Sequence, residues 1–96
     1  MPAASTPPFS VRIRHEARIL YTLLDAADSA GKIAGTLSEA PWRESNVRVR
    51  AGASFEGEAE RFHDLMVTLE SSGVLAGTWI EERWRSLQSR IQRHTV

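Results

Sequence analysis

The side chains able to act as metal ligands, nucleophiles or proton carriers are few in this chain, and their spacing suits none of the common chemistries. His15-Glu16 opens like an HExxH zinc motif, but Ile19 stands where the second histidine must be. His63-Asp64 and His94 have no partner at ligand spacing, and there is no cysteine to supply a thiolate. No metal and no cofactor is therefore expected. Gly52-Ala-Ser54-Phe-Glu56 runs like a nucleophile elbow until glutamate takes the place of its final glycine, and a triad would need a longer chain. Gly73-Val-Leu-Ala-Gly77 lacks the Lys-Ser/Thr ending of a phosphate loop. Carboxylates are plentiful, yet none is paired with another in an evidently apolar setting. The chain reads as non-enzymatic.

Arginine is the residue left to consider. Eleven of the 12 basic side chains are arginine, balanced by 12 acidic ones to a formal charge of zero. Codon bias in a GC-rich genome would account for that preference, but arginine's planar fork also grips phosphates and base edges. Two segments set arginine in alternation with apolar residues: Ser10-Val-Arg-Ile-Arg14 and Asn46-Val-Arg-Val-Arg50. Alternation of this kind is the mark of a strand with one apolar and one polar face. Arg12, Arg14, Arg48 and Arg50 would then share an outer face, where they could read a duplex. Arg43 would add a phosphate contact. The structural alternative is that outward arginines keep a short edge strand soluble.

The elements that must carry these residues follow from periodicity. Residues 9–14 admit two readings, a short strand or the start of a helix, since Ile13, Ala17, Leu20, Leu24 and Ala27 keep helical spacing. A core helix is expected at about 15–29, with Ile19, Leu23 and Ala26 widening its apolar stripe. A second, short helix is expected at about 32–40, weakened by Gly35 and ended by Pro41. Residues 41–45 read as a connector into the second strand, and 51–55 as a loop. A third helix is expected at about 56–72, with Glu56, Glu58 and Glu60 at its positive end and Gly73 as its left-handed cap. A fourth, about 78–94, starts at the capping box Thr78-x-x-Glu81. The expected fold is mainly α with a short two-stranded β element (α+β), in the order β-α-α-β-α-α. The alternative is an all-α helical bundle.

This plan resembles the ribbon-helix-helix repressors, in which paired strands present side chains to the major groove over a common helical core. The resemblance is carried by Val11-Arg-Ile-Arg14 and Val47-Arg-Val-Arg50, each followed by two helices. It implies a small DNA-binding regulator, with Arg12, Arg14, Arg48 and Arg50 as its nucleic-acid contacts. A lesser resemblance, of Leu65 to Leu75 to the end of a winged-helix recognition helix, conflicts with the helix that starts at Thr78.

Trp42 and Trp79 point to the alternative function. Trp84 belongs to the apolar face of the last helix, whereas Trp42 falls on the connector and Trp79 at a helix start. Tryptophan is a preferred anchor of protein interfaces. Zero net charge also fits a protein-binding module better than a strongly electrostatic nucleic-acid binder. Such a module would be an inhibitor, antitoxin, immunity protein or phage-encoded adaptor, acting by direct contact. The partner is then duplex DNA or a protein, and a homodimer would extend the small core that 96 residues can bury. Residues 1–8 read as a disordered Pro/Ser/Ala tail without the features of a secretory signal, and 9–96 as one domain. No apolar run approaches the roughly 18 residues that span a bilayer. A cytoplasmic protein is expected.

Overall fold

The computed structural model describes residues 8–92. They form five helices: α1 (Phe9–His15), α2 (Ala17–Ser29), α3 (Glu39–Arg50), α4 (Phe55–Ser71) and α5 (Trp79–Gln92). No strand occurs among the described residues, so the all-α alternative holds and the β element does not. The tail expected over 1–8 lies, except for Pro8, outside the described residues, as do Arg93 and His94.

Both segments expected to be strands are helical. Residues 9–14 continue the periodicity of α2: Ile13 and Ala17 are buried in line with Leu20 and Leu24, separated only by a break at Glu16. In the second segment, Trp42, Ser45 and Val49 recur at helical spacing and face inward, leaving Val47 to solvent. A strand would have put Val47 and Val49 on the same side and left Trp42 out of the core. Burial of the large indole outweighs the local β preference of a few valines, which is worth only about 1 kcal/mol.

The proline reading is also reversed. Pro41 does not end a helix but lies in the first turn of α3, where its missing N–H has no intrahelical acceptor to lose. The short helix expected at 32–40 is instead largely a turn, with Gly31 at φ 74° and Gly35 at φ 82°. Left-handed backbone at two glycines so close together interrupts any helix there. At α5 the capping arrangement differs in detail. Thr78 Oγ1 accepts from the Glu81 N–H at 3.3 Å, but Glu81 Oε1 accepts from Gly77 N–H rather than from Thr78.

These turns expose a duplication whose register differs from the one the arginine segments suggest. Gly31, Ile33, Ala34, Gly35, Thr36, Glu39, Trp42 and Arg43 recur, at one constant interval, as Gly73, Leu75, Ala76, Gly77, Thr78, Glu81, Trp84 and Arg85. The hydrogen bonds recur with them. Thr36 and Thr78 hydroxyls donate to the Ile33 and Leu75 carbonyls at 2.7 Å in both copies. Gly35 and Gly77 N–H groups reach Glu39 and Glu81 at 3.2 Å. Trp42 and Trp84 Nε1 donate to Asp28 and Glu70 at 2.9 Å. The unit is a helix, a double-glycine turn and a second helix, written twice.

The two units exchange partners. α2 and α4 make the most extensive contact, α3 of the first unit packs on α4 of the second, and α5 packs back on α2. The ion pairs follow the same exchange: Arg48 on Glu58 and, at equivalent positions, Arg90 on Glu16. This reciprocity is that of an intertwined two-fold dimer joined into one chain. Leu20, Leu24 and Ala27 from α2 meet the equivalent Phe62, Met66 and Leu69 from α4 in the core, all fully buried. Each such side chain contributes roughly 1.5–3 kcal/mol by leaving water, apart from the smaller alanine.

Candidate protein-binding groove

The arginines singled out in the sequence do not share a face. Arg12 donates from Nε to the Ile91 carbonyl at 2.6 Å and lies over the Phe9 ring, tying α1 to α5. Arg14 is exposed near the end of α1, and Arg50 is exposed at the end of α3. Arg43 forms an exposed i,i+4 pair with Glu39 at 2.7 Å. Arg48 makes a two-pronged contact with Glu58, 3.0 Å from Nε to Oε2 and 2.9 Å from Nη2 to Oε1. Ser45 also donates to Glu58 at 2.6 Å. The Arg48 hydrogen bond, aided by Ser45, holds the Glu58 carboxyl below its usual range against the opposing effect of burial. Without strands there is no ribbon, and the ribbon-helix-helix resemblance is overturned.

The tryptophans divide. Trp42 is in the core, beside Tyr21 and Phe62, with its indole N–H taken up by Asp28. It offers no surface to a partner, because the connector on which it was expected is the first half of a packed helix. Trp84 has the same position in the second unit. Trp79, by contrast, is 58% exposed at the start of α5. It stands on the wall of an open groove of about 870 Å³ between α2 and α5. Ile19 and Leu23 from α2 and Leu87 from α5 give the groove its apolar lining. Arg18, Arg83 and Arg90 outnumber Glu82 among its charged residues, so it is cationic as well as apolar.

The duplication supplies a comparison within the molecule. At the equivalent face of α3 and α4, Leu37 stands for Trp79, Glu60 for Arg18, Asp64 for Thr22, and Glu44 for Ser86. The turn glycines and threonines and the buried tryptophans are the same in both units, whereas several residues lining the groove differ in charge. The groove residues were within reach of sequence reasoning in one respect. Ile19 and Leu23 widened the apolar stripe of α2, which read as that of a core helix covered on several sides. Arg18 and Arg83 carried no such signal, since they meet only when α5 returns to α2.

No group of three or more metal-ligating side chains occurs among the described residues. His63 is packed edge-on against Phe9 and Trp84, with Nε2 buried and without a hydrogen-bond partner. Burial lowers its pKa below the usual histidine value, partly offset by Asp64. A lone neutral imidazole among rings is a packing group. No helix among the described residues is long and apolar enough to cross a membrane.

Comparison with protein-family models, curated proteins and solved structures finds no match.

Proposed function

We propose that this chain is a non-enzymatic protein-binding module that takes an amphipathic helix of another polypeptide into the groove between α2 and α5. The observation that carries this reading is Trp79, a large aromatic left 58% exposed beside an apolar, arginine-lined channel. An exposed tryptophan at the rim of a concave apolar surface matches the composition of interface hot spots. Two walls of helix suit a third helix, whose side chains recurring every three or four residues would fill the channel. The arginines would orient the incoming segment and speed its encounter more than they would add affinity.

The test is affinity capture of interacting proteins with the purified chain, followed by reconstitution of each candidate from purified components and titration calorimetry. Trp79→Ala is expected to weaken a true partner by about 2 kcal/mol, roughly thirty-fold, as hot-spot tryptophans do. Binding that ignores Trp79, or tight binding to duplex DNA that survives Trp79→Ala, would overturn the reading.

A further inference from the structure

We propose that the occupant of the α2–α5 groove is the outer face of α3 from a second copy of this chain, so that copies add head to tail. The proposal rests on the groove being a docking surface and goes further by naming what docks. Among the described residues, three large apolar side chains stand out to solvent more than any others: Leu37 at 90%, Val47 at 66% and Trp79 at 58%. Trp79 belongs to the groove. Val47 stands on α3 and Leu37 in the turn just before it, with Ala40, Pro41 and Glu44 of α3 exposed between them. Positions 40, 44 and 47 of α3 follow the three-and-four spacing by which a helix presents anchors to a groove, and Leu37 extends the exposed surface at its N-terminal end. The chain therefore carries both halves of a helix-in-groove contact.

Charge assigns the halves to each other. The α3 stripe has Glu44 at its centre, and the adjoining face of α4 adds exposed Glu60 and Asp64. The groove offers Arg18 and Arg83, and Arg83 makes no ion pair with a described residue. Arg18 only lies over the Phe55 ring at 5.3 Å. Arg48 and Arg61, which border the acidic face, are both engaged with Glu58. A groove meeting a second groove would set arginine against arginine, and two α3 stripes would set glutamate against glutamate. Unlike faces are the favourable pairing.

The symmetry then dictates the form of assembly. Leu37 and Trp79 occupy the same position in the two units, so the acidic stripe and the cationic groove lie at equivalent places of the first and second unit. A contact between unlike faces uses one from each copy and leaves the other of each free. Such a heterologous contact does not close at two copies but extends into a chain or ring. Divergence after duplication has made a self-complementary pair from two equal surfaces.

Sedimentation equilibrium of the full chain tests this, from micromolar to millimolar concentration in low salt and again in high salt. The weight-average mass is expected to rise past two copies without a plateau at the dimer, and association to weaken at least ten-fold in high salt. Glu44→Arg alone and Arg83→Glu alone should each remain monomeric with unchanged helical circular dichroism. Mixing the two should restore assembly, because the normal stripe of one variant meets the normal groove of the other. A wild-type mass fixed at one copy, a plateau at two, or a mixture that stays monomeric would overturn the proposal. A monomer that still captures a foreign protein through Trp79 sinks the homotypic proposal alone. A monomer without Trp79-dependent binding sinks the groove reading as well.

Discussion

Trp42→Phe and Trp84→Phe should destabilise the protein strongly and by similar amounts, whereas Trp79→Phe should be nearly silent. The two buried indoles are fully enclosed and each donates from Nε1 to a carboxylate at 2.9 Å. Cutting tryptophan to alanine in a core costs about 3–5 kcal/mol, so cutting it only to phenylalanine costs about 1–2 kcal/mol in lost contact and residual cavity. The hydrogen bond adds about 1 kcal/mol rather than more, because Asp28 and Glu70 keep access to water and are not left unsatisfied. The sum is about 2–3 kcal/mol for each substitution. In a domain of this size each kcal/mol moves the melting temperature by roughly 4–8 °C, which puts both variants roughly 10–20 °C below wild type. At the exposed Trp79 the change should stay within about 0.5 kcal/mol. Thermal and urea unfolding followed by far-UV circular dichroism measures all three. A costly Trp79→Phe would refute the assignment of that residue to the surface. A gap of more than about 2 kcal/mol between Trp42→Phe and Trp84→Phe would refute the equivalence of the two units.

The turns and the buried acid–base groups give further expectations. Gly73→Ala meets no atom within 4 Å, yet forces an L side chain to φ +82°, so it should cost about 1 kcal/mol from backbone strain alone. Gly31→Ala, at φ +74°, should match it, and a silent substitution at either site would contradict the turn geometry. His63 has a folded-state pKa below its ordinary 6.5, so the unfolded chain takes up the proton first and stability should fall as pH drops below about 6.5. Urea melts across that range should show this slope in wild type and a shallower one in His63→Leu; equal slopes would show that another group is responsible. Glu58 is likewise lowered from 4.5, and its stabilisation is present above that value and lost as pH falls through its folded pKa. Glu58→Gln should therefore flatten the acid limb of the same titration, and an unchanged limb would exclude Glu58 as its source.

The groove was partly legible in the residues. Trp79 stood out as an aromatic at a helix start, whereas the width of the α2 stripe read as that of a central core helix and not as one wall of a groove. Trp42 stood out for the same reason and proved to be core, because position on a supposed connector says nothing about where a helix will turn it. The arginine segments misled in a similar way. Val-Arg alternation satisfies a strand, but the same residues also satisfy a helix whose buried positions are Trp42, Ser45 and Val49.

By itself the sequence determined α2, α4 and α5, for each carries an apolar stripe long enough to distinguish a period of 3.6 from a period of 2, and Thr78 marked the start of α5, whereas Ser54, which caps α4, lay in what read as a loop. Gly73 was legible as the left-handed cap of the third helix, whereas the Gly31–Gly35 turn was not, because residues 32–40 also fit a short helical stripe. Only the tertiary structure decided the conformation of 9–14 and 46–50, segments too short for local pattern to separate strand from helix. There the outcome was set by whether Ile13 and Trp42 could reach the core. Only the tertiary structure, too, decided that the second helix of each unit packs on the first helix of the other. That exchange brings Arg18, Trp79 and Arg83 together from distant parts of the chain, and no spacing along the sequence records it.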